Sequence, residues 1–439
     1  MKHLKLTTAE TWAPHAAAAP VSRQRDPDTF RASGNGTRTC SGGWQFAFVG
    51  VEPGRYVSIS LDAEHEGIDS MREATLCSAV WGDVLTDSSR PHGTPDRNHL
   101  IPHETGPSTV RLSRILAVPD GVDRLTIRCT LRWVAKGHVD WQTPRVEYVA
   151  GPERSGRSVS IAVVTGRHGG RPNVSSVQDN VEYYSALCEG VCRENDVDLI
   201  ALPEIALTWG VGNALDVALS VPGPETDVFA DIAERHGTRI ALGTYERDGD
   251  ACHNSLILVG PDRAIEARYR KVHLASGGEN ESGLLPGDSF PVAGTEIGRI
   301  GFNICMDSSA AESARMVGLN GADFLVLYIM GDHRADRLSP GSPIFNPDRW
   351  LAIQRTRALD NQLCMVIARN NAIGSCIIDR KGAVVAWNEG DRDWVTATVD
   401  PRDGCRYWNG EELRDVNWAQ RRPHLYAQYT DPGNYGSLR

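Results

Sequence analysis

A glutamate, a lysine and a cysteine stand at the ends of three strand-like segments. DLIAL leads into Pro203-Glu204, RAIEARYR into Lys271, and GRIGFNI into Cys305. In open α/β sheets ligands gather at the carboxyl ends of strands, so three such ends could supply one site. The stretch after Cys305 reads as a helix start, with Asp307, Ser308 and Ser309 as natural capping residues. A cysteine at that junction would lie near the positive end of a helix dipole, which favours thiolate. A thiolate attacks a carbonyl or nitrile carbon and forms a covalent acyl intermediate. Glu204 would take the thiol proton, pass it to the leaving amine and later activate water. Lys271, with the backbone N–H of Met306, would stabilise the oxyanion. Each residue alone has a plainer reading. A cysteine in an apolar strand is more often core than catalytic, a glutamate after Leu-Pro is an ordinary loop carboxylate, and Tyr-Arg-Lys is a solvated charge run.

The elements that must position these residues begin at Ser158. VSIAVV is continuous rather than alternating, as a buried parallel strand requires. Val177, Val181, Tyr184, Cys188 and Val191 then step by three and four along one helical face. Further strands (DLIAL, RIALG, NSLILVG, RIGFNI, DFLVLYI, CMVIAR, CIID) alternate with helical stretches, one ending at Gly237 and others at 310–320 and 348–361. A PDRAI turn inserts one hairpin. The rhythm over 156–430 is that of an α/β enzyme. Residues 37–152 differ: WQFAFVGV, YVSISLDA, EATLCSAVWG, STVRLSRILAV, DRLTIRCTLRWVA and PRVEYVA are short alternating runs broken by turn signals. They predict an antiparallel β-sandwich. Its GHVDW turn and final strand resemble the end of jelly-roll modules that often bind glycan, against the plainer reading of a packing or oligomerisation domain. Residues 1–36, rich in Ala, Pro, Arg, Ser and Gly, read as a loosely attached arm.

The wording around the three reactive positions carries a resemblance. LPE at 202–204, YRKVHL at 269–274 and GFNICMD at 301–307 resemble the three signatures of the nitrilase, or carbon–nitrogen hydrolase, superfamily. Glu312 and Arg315, GAD at 321–323, RALDN at 357–361, IGSCIIDRKG at 373–382, and Arg421-Arg422-Pro423 with Tyr426 extend the likeness over about 158–428. Ala311 and Asp360 depart from it, where proline and glutamate are common. The resemblance implies an αββα sandwich and a triad of Glu204, Lys271 and Cys305. It also implies a second glutamate between the lysine and the PGD turn at 286–288. Glu281 is the expected residue, although it lies one position closer to that turn than usual and Glu279 one too far. Cys-Met-Asp, in place of the Cys-Trp-Glu of nitrile-cleaving members, favours an amide or N-carbamoyl substrate, with nitrile hydrolysis or acyl transfer to an amine as alternatives. Trp209, Tyr328, Met330 and His333 are expected pocket walls, while Arg334 and Arg337 read as a solvated loop. A homodimer or larger homo-oligomer is implied, pairing through 310–320 and 348–361.

Composition narrows the remaining classes. The 439 residues carry a formal net charge of -10, which argues against a nucleic-acid surface, since phosphate binding needs clustered Lys and Arg. The chain contains no run of about 18 apolar residues, so no membrane span is expected. The N-terminus lacks a secretory core, which favours a cytoplasmic protein. Ten scattered cysteines suggest neither a disulfide framework nor, at Cys188 and Cys192, a zinc site. His253, His273 and His333 form no ligand pair at helical spacing, so no metal or organic cofactor is expected. A glycan-binding protein on a non-catalytic hydrolase fold is the reading from another class.

Overall fold

The computed structural model describes residues 3–82, 95–151, 158–166, 174–276, 278–330, 345–370, 373–431 and 433. The chain divides into two compact units, one of residues 1–153 with 406–439 and one of 154–405.

In the first unit, alternation builds two antiparallel sheets. One runs in the order Leu6–Trp12, Ser41–Val49, Arg124–Arg132, Thr75–Trp81 and Asp96–His99. The other runs Val21–Asp26, Thr29–Ser33, His138–Gln142, Tyr56–Glu66, Thr109–Ala117 and Ile101–Gly106, with Arg145–Val149 also beside Tyr56–Glu66. Period-two side chains give each sheet one apolar face. Val57, Ile59, Leu61 and Ala63 come from one sheet, Phe46, Phe48, Ile127 and Cys129 from the other, and all join a single core with Phe30 and Trp141.

Three sequence expectations are corrected here. Residues 1–36 are not an arm, because Leu6–Trp12 pairs with Ser41–Val49 from Thr8↔Ala47 to Trp12↔Gly43, and Val21–Asp26 pairs with Thr29–Ser33. Both strands lie at sheet edges and bury little, so backbone pairing places them where no apolar rhythm announces it. GHVDW is mostly strand, with Val139, Asp140 and Trp141 all buried. The tail from Arg406 does not belong to the 156–430 unit. Asp415, at the start of the helix Leu413–Ala419, accepts from the His99 N–H at 2.9 Å and from Arg114 Nη1 at 2.6 Å. Farther on, Arg422 lies over the Trp133 ring at 4.8 Å and pairs with Glu73 at 3.1 Å. Charge and aromatic pairing, not apolar pattern, seat this tail.

The second unit has the layered form its rhythm predicts. One sheet runs Ile265–Arg270, Ala251–Val259, Arg239–Asp248, Leu199–Ala201, Val159–Val164 and Trp394–Val399, the middle three parallel. The other runs Val292–Thr295, Gly298–Ile304, Phe324–Ile329, Cys364–Arg369, Cys376–Ile378 and Val384–Trp387. Ile161, Val163, Leu256, Leu258, Phe302 and Val326 fill a core common to both sheets. The first sheet's other face is covered by the helices Val177–Glu194 and Pro224–His236, the second's by Ala311–Leu319 and Pro347–Asn361. Order is therefore helix, sheet, sheet, helix.

The helix boundaries follow from local chemistry. Ser176 and Asp179 form a reciprocal capping box that starts Val177–Glu194, and Val181, Tyr184, Cys188 and Val191 are buried on its inner face. Pro224 opens the next helix, and Gly237 at φ 64° closes it in the left-handed conformation that glycine adopts without steric cost. Among the described residues, no helix is long and apolar enough to cross a membrane.

Candidate active site

Strand ends bring the three reactive side chains together. Lys271 follows Ile265–Arg270 directly, Cys305 follows Gly298–Ile304 directly, and Glu204 lies three residues beyond Leu199–Ala201. Glu204 and Lys271 are 3% and 1% exposed. Lys271 Nζ donates to Glu204 Oε1 at 2.9 Å and lies 2.7 Å from Glu279 Oε2. Buried charges persist when paired and hydrogen-bonded. Here Glu204 Oε1 also accepts from Asn254 Nδ2 at 2.9 Å, and Oε2 accepts from the Met330 N–H at 2.6 Å. Glu279 Oε1 accepts from Asn254 Nδ2 at 2.7 Å, and Oε2 from the Ala275 N–H at 2.8 Å.

Glu279, not Glu281, is thus the second glutamate at the lysine. The two carboxylates belong to the short 3-10 turn Glu279–Glu281, where residues two apart point in different directions. Glu279 faces Lys271, and Glu281 is exposed. Counting residues from the PGD turn misassigned the pair, because that turn packs on the lysine's own backbone. The Gly287 N–H donates to the Lys271 carbonyl at 2.8 Å, and a Cβ there would lie 2.2 Å from the Arg270 carbonyl oxygen.

Electrostatics assign the protonation states. Burial opposes the Lys271 charge, but Glu204, Cys305 and Glu279 outweigh it and hold the ammonium well above the ordinary lysine value. Burial pushes the Cys305 thiol well up, and Glu204 pushes it further, with Lys271 and the Met330 N–H pulling the other way. Burial and the two carboxylates thus oppose the thiolate that the short helical turn after Cys305 favours. Burial, then Glu204 and Glu279, also raise the Tyr245 hydroxyl to about 12, with Lys271 opposing.

Two sharp turns aim the reactive groups. Cys305 has φ 44° and Ile205, beside Glu204, has φ 45°. Non-glycine residues at such angles cost about 1–3 kcal/mol each and persist only where neighbours over-determine them. At Cys305 the neighbour is Asp307, 0% exposed. Its Oδ2 accepts from Tyr269 Oη at 2.6 Å and the Ile304 N–H at 2.9 Å, and its Oδ1 accepts from the His273 N–H at 2.9 Å. His273 Nδ1 lies 2.8 Å from the same Oδ1, and this bond leads the causes that raise the His273 pKa above its ordinary value. At Ile205, Asn370 Nδ2 donates to the Glu204 carbonyl at 3.0 Å, and the Leu207 N–H to that of Gly243 at 3.2 Å. A Cβ on Gly243 would lie 2.6 Å from the Pro203 oxygen and 2.7 Å from Ile205 N, so only glycine lets this turn sit against its neighbouring strand.

The remaining expected residues divide. Met330 reaches Glu204 through its backbone, and Met306 adjoins the nucleophile. Trp209 is half-buried, its carbonyl accepting from Asn180 Nδ2 at 2.9 Å. Tyr328 is corrected from pocket wall to core: it is fully buried within the cluster between the sheets. His333, with Arg334 and Arg337, lies outside the described residues. His253 Nδ1 lies 2.9 Å from the Leu285 carbonyl oxygen. Among the described residues, no group of three or more His, Cys, Asp or Glu is placed to hold a metal ion. None of the ten cysteines forms a disulfide. A cavity of about 560 Å³ beside Trp387, Arg392 and Trp394 includes none of the residues described above for this site. The chemistry therefore follows the buried charge cluster rather than the open groove.

Sequence reasoning missed Asn254, Tyr245 and Gly243. Two carried a signal: Gly243 interrupts an apolar strand, a mark of close backbone approach, and His253-Asn254-Ser255 are consecutive polar residues in a fully buried run.

Two sheets layered between helices carry this charge cluster at their strand ends. Residues 160–407 match the family model described as carbon-nitrogen hydrolase, and the chain belongs to that family, within the nitrilase superfamily. It is 30% identical to omega-amidase NIT2-B of Xenopus laevis over 208 residues, 44% of this chain and 68% of that protein. It is 28% identical to omega-amidase NIT2 of Mus musculus over 238 residues, 52% and 78% of the two chains. Against a nitrilase of Pyrococcus abyssi the identity is 34% over 177 residues, 39% and 61% of the two chains. A carbon-nitrogen hydrolase structure from Helicobacter pylori superposes with TM-score 0.50 at 19% identity, covering 62% of this chain and 98% of that one, a likeness of fold.

Proposed function

We propose that the protein hydrolyses a linear amide or an N-carbamoyl compound through a thioester on Cys305. The observation that carries this reading is the Lys271 ammonium, buried between Glu204 and Glu279 and within electrostatic reach of the Cys305 thiol. Glu204 takes the thiol proton as sulfur attacks the carbonyl carbon. The C–S bond forms and the carbonyl electrons move to oxygen, where Lys271 and the Met306 N–H stabilise the charge. On collapse the C–N bond breaks, and Glu204 returns its proton to the departing nitrogen. Water then adds to the thioester with Glu204 again as base, releasing the acid and the thiol. Relatives named omega-amidases support an amide over a nitrile.

The test is ammonia release from a panel of linear amides, N-carbamoyl compounds and nitriles, comparing the parent with Cys305→Ala. Release by the parent and none by Cys305→Ala is expected, with amides or N-carbamoyl compounds fastest. Equal release by both proteins, or a preference for nitriles, would overturn the reading.

A further inference from the structure

The scheme above gives Asn254 no task, yet Asn254 touches Glu204, Glu279 and Lys271 at once. It is 1% exposed and lies in Ala251–Val259, opposite Tyr245 in register. Its carbonyl accepts the Lys271 N–H at 2.9 Å, which fixes the backbone of the lysine. Its single Nδ2 donates to Oε1 of both glutamates, at 2.9 Å to Glu204 and 2.7 Å to Glu279. Lys271 Nζ spans the same two carboxylates, sharing Oε1 of Glu204 with Asn254 and meeting the other oxygen, Oε2, of Glu279. The amide orientation is unambiguous, since a flipped Oδ1 would face two carboxylates, and Oδ1 has no hydrogen-bond partner among the described residues.

Two buried carboxylates joined to one nitrogen share a proton unless donors separate and stabilise them. One ammonium offsets one charge. The second needs neutral donors, and the amide supplies both of its hydrogens at once, whereas an aliphatic side chain supplies none. Other titratable groups face the pair: Cys305 and Tyr245, both disfavoured as anions by these same carboxylates. His253 and Ser255, on the strand's other face, meet the Leu285 carbonyl and Glu246.

We propose that Asn254 is a positioning residue, clamping Glu204 and Glu279 at the separation Lys271 spans so that Glu204 meets the Cys305 thiol as an ionised base. This rests on the thioester reading above.

The experiment follows acetylation of Cys305 by p-nitrophenyl acetate, read by peptide mass, between about pH 5 and pH 8. Parent, Asn254→Leu and Asn254→Ser are compared, with Cys305→Ala as control. In Asn254→Leu the acid limb of the rate profile is expected to move up by about one pH unit, and in Asn254→Ser, which keeps one donor, by about half as much. Should Asn254→Leu fail to fold, the Asn254→Ser limb decides alone. Lowered amplitude with an unmoved limb, as a purely structural residue would give, overturns the proposal, as does a parent that does not acetylate at Cys305. Because the ester needs no leaving-group proton, a normal limb shift beside a silent ammonia panel would sink the amide reading and leave Asn254 in place.

Discussion

At the scale of single residues, the site is organised by who shares a proton with whom. Glu279 contacts Lys271 and Asn254 while Glu281 stands in solvent, so the two carboxylates should respond differently to neutralisation. Glu279→Gln is expected to lower ammonia release by about 10²-fold, the usual cost of removing one preorganised electrostatic group. Glu281→Gln should change it by less than about twofold, as for surface positions generally. Equal losses would return the second glutamate to Glu281. The cysteine makes a separate prediction. Burial and Glu204 hold its thiol well up, so alkylation of Cys305 by iodoacetamide should be slow at neutral pH and keep rising beyond the ordinary thiol value of 9.0. A plateau below neutrality would show a resting thiolate.

At the scale of elements, two turns do the aiming and each depends on one residue. Gly243 gives the Glu204 turn room, and an added Cβ meets backbone on both sides. Gly243→Ala is expected to destabilise by about 1–3 kcal/mol, the usual cost of overpacking, with activity falling further because Glu204 must move. Urea unfolding together with ammonia release checks both parts, and unchanged stability would remove the packing argument. The Cys305 turn depends on Asp307, whose two oxygens hold Ile304, Tyr269 and His273. These contacts join two segments, 304–307 and 269–273, so their effect is to fix the sulfur relative to the lysine strand.

At the scale of the molecule, the unit of residues 1–153 and 406–439 is joined through charge. Arg31 holds the Asp140 carboxyl below its ordinary value, and His99 does the same for Glu411. Carboxyls depressed on folding stabilise above their unfolded values, near pH 4, and that contribution is lost as pH falls through the folded ones. Thermal melts of the full chain should therefore show this unit weakening below about pH 4, and Glu411→Gln should flatten that acid dependence. A melting profile identical in parent and variant across this range would count against the His99–Glu411 pair as a contributor.

What the sequence by itself determined was periodic and local. Val181, Tyr184, Cys188 and Val191 mark a helix because one face must be buried, and Val57, Ile59 and Leu61 mark a strand for the same reason at period two. Glu204, Lys271 and Cys305 were legible because each ends a strand-like segment whose local wording resembles a family signature. What only tertiary structure decided was whatever depends on distant backbone or on desolvation. The edge strands Leu6–Trp12 and Val21–Asp26 bury too little to show a period. The choice of Glu279 is set by a turn whose direction no spacing rule encodes. Asn254 joins groups 50 and 25 residues away along the chain, and pattern within a window cannot see such a contact. The upward push on the Cys305 thiol comes from burial first and from Glu204 next, because the charge a thiol tolerates depends on everything folded around it as well as on the helix that follows it.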